Sequence, residues 1–319
     1  MSRLNLGKLP GDELLPILQS LPSPGDGNRL YQAFKFRVHP VVPICHLPSL
    51  EQTITGFWSD TTMTTSADTL TLILSVTYCG LVSLNDERYV NLTKSIFNSY
   101  ERLLDVLSFP NDLSKATVPL LQSYLIVNTC RARQNEPFSS FGFLSSAVRV
   151  AQALKLNLER KSLYIIEKEV QRRIWWHLVY MDVEAALVSG LPNLIHDDDY
   201  TTHMPCQLDD PSIIDTPDSV ADSLPVTSPM MIAMHGRWHW ALQMRSWRKR
   251  KPTLEEFQEF EKIVNDLLSK QASVDNDGWS HTYLRLQLPR AVCSAARGFL
   301  GEQSVNRINC EHKVLRSDL

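Results

Sequence analysis

Three groups of residues in this 319-residue chain have side chains suited to chemistry. The first is the acidic run Asp197-Asp198-Asp199, with His196, His203 and Cys206 close by. Imidazole, thiolate and carboxylate all bind zinc, and clustered carboxylates hold hard cations such as magnesium. The second is His235 and His239, whose spacing of four puts them on one helical face. The third is the basic cluster Arg245, Arg248, Lys249, Arg250 and Lys251 around Trp247. Its cations suit a nuclear import signal or a phosphate-contacting patch, and its indole could stack on a base.

Each group also has a plainer reading. The His196, His203 and Cys206 spacing fits no zinc ribbon, and the surrounding segment reads as a solvated acidic loop. The sequence from His235 to His239 lacks the Glu of H-E-x-x-H, so no metalloprotease base is present. The basic cluster closes a helical pattern before Pro252, where the macrodipole attracts cations without any ligand. No G-x-S-x-G, G-x-x-x-x-G-K-[ST] or G-x-G-x-x-G occurs, so nucleophile-elbow hydrolases, P-loop enzymes and dinucleotide enzymes have no support. No catalytic residue, cofactor site or metal site is expected.

The elements that would position these groups are helices. From Val170 the apolar residues Val170, Ile174, Leu178, Met181, Ala185 and Val188 recur at intervals of four or three, which places them on one helical face. Trp175, Val179 and Ala186 broaden that stripe and predict a central helix. Glu169 and Arg173 have the i, i+4 spacing that supports an exposed helical surface. Gly190 and Pro192 supply the stop. An upstream helix repeats the logic, with Phe143, Ala147, Val150, Ala151, Leu154 and Leu158 facing in and Arg149, Gln152, Lys155 and Glu159 facing out. Asp182 falls inside the apolar helix, where a buried carboxylate needs an Arg or a ring of backbone donors. Arg131, Arg133 and Arg149 on neighbouring helices are the expected partners.

The stretch from Glu167 to Pro205 resembles the core signature of the fungal-specific transcription factor domain, the helical regulatory region that follows the zinc cluster in many fungal regulators. The matching residues are Glu169, Arg172, Arg173, Trp175, Trp176, Asp182, Ser189, Gly190 and Pro192, then Asp197, Asp198, Asp199 and Pro205. Upstream, Ala147, Arg149, Ala151 and Leu154 fit the family's A-x-R-x-A-x-x-L-G-L-H segment, with Lys155 and Asn157 standing where that family has Gly and His. His39-Pro40 through Phe57 and the run Leu70 to Leu84 resemble its opening segments, so the similarity extends from about Phe34 to Pro205. The resemblance implies a transcriptional regulator in the nucleus, often of a biosynthetic or catabolic gene cluster. It also implies contacts with a coregulator, a small-molecule effector or a DNA-binding partner. The family's zinc cluster carries C-x2-C pairs, and this sequence has none. Zinc is therefore expected only if a zinc-cluster domain exists outside this chain, and sequence-specific DNA binding by the chain alone is not expected. A non-DNA-binding interaction module or a truncated regulator is the second reading.

An all-helical chain with an Asp-rich segment also describes terpene synthases, which hold magnesium through D-D-x-x-D and N-D-x-x-S-x-x-x-E. Thr201 stands where the first motif needs its last Asp, and Ser273 where the second needs its Glu. Both motifs lose a metal ligand, so an enzyme of this kind is the remote alternative.

Composition agrees with a helical regulator. Twelve Gly are few for this length, and the formal net charge of -3 argues against a surface that embraces nucleic acid throughout. Six dispersed Cys read as reduced thiols of a cytosolic or nuclear protein. The N-terminus has no uninterrupted apolar h-region, and Leu70 to Leu84 falls short of the ~20 residues of a membrane span. The predicted fold is all-α, a large irregular helical domain of antiparallel helix pairs. Residues 1–33 read as a Pro-rich irregular lead-in with one short helix near Asp12 to Gln19, and 34–205 as the regulatory core. Residues 206–228 read as an acidic loop and 229–319 as a helical continuation.

Overall fold

The computed structural model describes residues 11–59, 65–132, 136–161, 164–213, 227–250, 252–274 and 278–299. Among them are thirteen α-helices and no β-strand, so the all-α class holds. Two compact units divide the chain.

The first unit contains α1 (Gly11–Ser20), α2 (Pro24–Arg37), α3 (Leu47–Ser59), α4 (Ala67–Leu84), α5 (Val90–Val106), α6 (Val118–Arg131), α7 (Pro137–Ser140), α8 (Leu144–Ala153) and α9 (Ile165–Ser189). Within the stretch expected to be an irregular lead-in, the described residues 11–33 are largely helical. Ser23 caps α2 by accepting from the Asp26 amide at 3.3 Å, and Pro24 opens the helix where its missing N–H costs nothing. Pro24 thus marks a helix start, while Pro16 lies inside α1.

Helix α4 is the spine of this unit, with α2, α5 and α6 packed around it. It is long and apolar enough to cross a membrane, yet Leu70 to Leu81 are all buried against protein. Its buried hydroxyls are satisfied inside the helix: Thr71, Ser75 and Thr77 donate to the carbonyls of Ala67, Leu72 and Ile73 at 2.7 to 2.8 Å. Gly80 lets α2 come close, since a Cβ there would lie 2.4 Å from the Leu30 carbonyl oxygen.

Helix α8 ends earlier than its apolar pattern predicts. Lys155 takes φ 58° and its amide bonds the Gln152 carbonyl at 2.9 Å. This left-handed residue turns the chain, so Leu156 enters the core at 3% exposure and Leu158, expected inside, is 43% exposed. The exit that a glycine would provide is thus made by a lysine.

The second unit is built on α10 (Pro229–Lys249), against which α11 (Leu254–Ala272), α12 (Trp279–Arg285) and α13 (Gln287–Phe299) pack. Met231, Trp238, Ala241, Phe260, Val264 and Leu284 form its core. Thr253 and Glu256 start α11 reciprocally. The Glu256 amide donates to Thr253 Oγ1 at 3.2 Å and the Thr253 amide to Glu256 Oε2 at 2.9 Å.

A buried polar hub on helix α9 as the candidate functional site

Helix α9 is enclosed from Arg173 to Glu184 with only Tyr180 partly open, so its polar residues point into protein. The expected exposed pair, Glu169 and Arg173, is buried instead, at 4% and 1% exposure. Arg173 Nε donates to Glu169 Oε1 at 3.0 Å, and Nη1 donates to Asp210 Oδ1 at 2.6 Å and to the Cys45 carbonyl at 3.2 Å. Spacing alone does not reveal on which side of the helix the rest of the chain closes. Here the side carrying Glu169 and Arg173 is covered by the segment before α3 and by the turn Asp210–Ser212.

Asp210 ties three pieces together. Its Oδ2 accepts from the Leu47 amide at 2.8 Å, capping α3, and its carbonyl lies 2.9 Å from His46 Nε2. Next to it, His39 Nε2 lies 3.1 Å from the Cys45 carbonyl. Burial pushes the Asp210 carboxyl up, but the Arg173 guanidinium, His39 and the Leu47 amide together hold it below its ordinary value. Burial works against the Arg173 charge as well, and Glu169 and Asp210 together override it. Burial drives His39 down to about 4, so the imidazole is neutral near pH 7.

The other signature residues fasten the loops that flank α9. Arg172 pairs with Glu159 at 2.6 Å, and Glu159 Oε2 accepts from the His203 amide at 3.0 Å. Burial raises the Glu159 carboxyl, while these donors hold it below its ordinary value. Gln171 Nε2 donates to the Leu158 carbonyl at 2.6 Å. Both indoles are buried, Trp175 at 0% and Trp176 at 4%, with their rings 5.7 and 5.9 Å from that of Tyr200. Trp176 Nε1 donates to the His203 carbonyl at 2.8 Å. Asn157, which replaces the family's His, donates to the Asp199 carbonyl at 2.8 Å. His177 Nε2 lies 3.0 Å from the Thr129 hydroxyl, linking α9 to α6.

Asp182 is anchored by the strap that follows its own helix. Its carboxylate accepts from the amides of Leu194 at 2.8 Å and Ile195 at 3.0 Å, and from Asn193 Nδ2 at 3.2 Å. Among the described residues, backbone donors and the Asn193 amide hold this carboxylate. Arg131 instead lies over the Phe97 ring at 4.3 Å and Arg149 donates to Gln152; Arg133 is outside the described residues. Gly190 delivers the strap, with φ 75° and its amide bonded to the Ala186 carbonyl at 3.0 Å. Ser189 Oγ accepts from the Leu191 amide at 3.2 Å, and Pro192 follows.

The groups with chemical promise are placed differently. Asp199 spends a carboxylate oxygen on the His196 amide at 2.7 Å, closing the turn Asp197–Asp199. No cluster of three or more His, Cys, Asp or Glu suited to a metal occurs among the described residues. His235 and His239 have ring centroids 6.3 Å apart, and burial pushes the His239 imidazole down. Ser269 and Ser273 turn back onto carbonyls of their own helix, Asn265 at 2.9 Å and Lys270 at 2.6 Å.

In the basic run, Arg245 is 2% exposed and so is withdrawn from the surface patch expected of it. Trp247 is buried against Phe257 and Phe260, with centroids 5.9 and 6.2 Å away, and its face is not free to stack on a base. Arg250 Nη1 pairs with Glu256 Oε2 at 2.8 Å, and Arg248 is exposed. The side chains of Lys249 and Lys251 lie outside the described residues.

Among the described residues the chain is all-helical, and its signature residues fasten its own loops. The chain belongs to the fungal specific transcription factor domain family, whose model matches residues 32–280. The match runs past Pro205, where the short motifs fade, and into the second unit. Transcription factor macR of Penicillium terrestre is 28% identical over 200 residues, covering 55% of this chain and 23% of macR. The aurofusarin cluster transcription factor aurR2 of Gibberella zeae is 27% identical over 222 residues, covering 66% of this chain and 32% of aurR2. The pyriculol/pyriculariol biosynthesis cluster transcription factor 1 of Pyricularia oryzae is 27% identical over 194 residues, 57% of this chain and 26% of that protein. The chain thus spans about a quarter to a third of the length of these relatives. No solved structure matches it.

Proposed function

We propose that the chain acts in the nucleus as the regulatory module of a fungal transcription factor that controls a biosynthetic gene cluster. The observation that carries this reading is the α9 hub: Arg172, Arg173, Trp176 and Asp182 fasten the loops around the helix, and Glu169 pairs with Arg173, inside the segment that matches the family. In this reading the residues shared with the family keep the domain's shape, and the chain carries no catalytic residue, cofactor or metal. Its work is contact with a coregulator, an effector or the polypeptide that reads DNA.

Deleting the gene and profiling transcripts tests the reading. Coordinated loss or gain of transcripts from one contiguous biosynthetic cluster is expected. Unchanged transcripts under conditions in which the gene itself is expressed would sink it. Within the reading, DNA sequence recognition belongs outside the described residues, because Arg245 and Trp247 of the basic run are buried and base readout needs side chains presented to a groove.

A further inference from the structure

Helices α4 and α6 pack along one another, and each presents a cysteine to the other. Cys79 Sγ lies 3.8 Å from the carbonyl of Ile126, one helical turn before Cys130 on α6, and the two thiols are neighbours. Their access differs sharply. Cys79 is 1% exposed. Cys130 is partly exposed and lines an open cavity of about 590 Å³ together with Tyr78, Asn128, Arg131 and Glu136.

We propose that Cys79 and Cys130 form a peroxide-responsive modification site, in which Cys130 is oxidised from the cavity and Cys79 resolves it into a reversible disulfide joining α4 to α6. An accessible thiol with a second thiol in contact behind it is the arrangement that favours sulfenic acid followed by disulfide over further oxidation. In the first step the Cys130 thiolate attacks an oxygen of hydrogen peroxide. The S–O bond forms, the O–O bond breaks, and hydroxide leaves and takes up the thiol proton as water. In the second step the Cys79 sulfur attacks the Cys130 sulfur. The S–S bond forms, the S–O bond breaks, and the leaving hydroxide takes the Cys79 proton, releasing a second water. Two thiols lose two electrons in all, and one peroxide becomes two waters.

The geometry assigns the order of the two residues. Only Cys130 meets the cavity, so only Cys130 can meet peroxide first. Burial pushes the Cys79 thiol well above its ordinary value, which disfavours its direct attack on peroxide. The neighbouring residue, Thr129, is the one bonded to His177 of α9, so the cross-link would fix α6 next to the α9 hub.

The test treats the purified full chain with hydrogen peroxide, removes the oxidant with catalase, blocks remaining thiols in denaturant with N-ethylmaleimide, and maps peptides without reduction. The expected product is a Cys79–Cys130 linked peptide pair that dithiothreitol separates. In Cys79→Ser, Cys130 should instead accumulate as a sulfenic acid trapped by dimedone, and in Cys130→Ser, Cys79 should stay fully alkylated. Wild-type mapping alone decides the matter if either variant fails to fold. Alkylation of both cysteines at the untreated level, or accumulation of Cys130 sulfinic acid in place of the linked pair, would overturn the proposal.

Discussion

Arg173 and Asp210 stand 37 positions apart in sequence and 2.6 Å apart in space, with both side chains at most 4% exposed. Removing one partner of such a pair leaves an uncompensated buried charge, which costs about 3–5 kcal/mol. Arg173→Met should lower unfolding stability by about that amount, since it strands Glu169 and Asp210 together. The double variant Arg173→Met with Asp210→Asn should lose less than the sum of the two singles. Additive losses in denaturant melts would show that the two residues do not act as a pair.

The same cluster makes stability depend on pH in a definite direction. His39 has its folded value lowered from 6.5 to about 4, so between those values the unfolded chain binds more protons and stability falls as pH falls. The interval corresponds to about 3 kcal/mol. Asp210 is also held below its ordinary value, and its contribution is lost lower still, as pH drops through its folded value. His39→Gln keeps a donor for the Cys45 carbonyl and removes the titration. Urea midpoints measured from pH 7 to pH 4 should decline less steeply in that variant than in the wild type. Parallel curves would exclude His39 as the source.

Two residues with positive φ should respond oppositely to substitution. Gly190 sits at φ 75° with open space around its Cβ direction, so Gly190→Val pays only for backbone strain, roughly 1–2 kcal/mol. Lys155 already carries that strain at φ 58°. Lys155→Gly should therefore gain up to about 1 kcal/mol, reduced by the greater freedom of glycine in the unfolded chain. Thermal unfolding of the two variants should shift in opposite directions. A loss of stability in Lys155→Gly would mean that the lysine side chain makes contacts worth more than the strain.

Gly80 offers a separate check on the packing of the first unit. A Cβ there would meet the backbone oxygen of Leu30, which cannot rotate away as a side chain could. Gly80→Ala should cost about 1–3 kcal/mol by forcing α2 from α4. A variant as stable as the wild type would place α2 farther from α4 than the structure does.

Helix α9 was largely legible from periodicity and punctuation: the apolar spacing from Val170 and the stop at Gly190 both hold. The Trp-Trp signature was legible as a family mark and as core. Its polar neighbours were not. Glu169 and Arg173 look like a surface pair because i, i+4 spacing is the same for an exposed and a buried pair, and only the closing chain distinguishes them. Asp210 sits in an acidic stretch that reads as solvated, and no local signal marks it out from Asp209. The early helix α2 was hidden by Pro24, Gly25 and Gly27, which sit in its first turn, where a helix tolerates them.

The basic run yields the last expectation. Five cations would support a log-log salt slope near -4.5 for non-specific DNA binding, but Arg245 is buried, and four give at most about -3.6. Arg250 is already engaged by Glu256, which lowers the slope further. The chain should therefore bind duplex DNA only weakly at low salt, without sequence preference, and lose it near physiological salt. Arg248→Ala should reduce the slope by about 1 or less, while Arg245→Ala should act on stability, because it empties a buried position. Gel shifts in competition with random duplex test both. Tight binding that survives a large excess of competitor would contradict the burial of Arg245 and Trp247 and would require α10 to present a base-reading face.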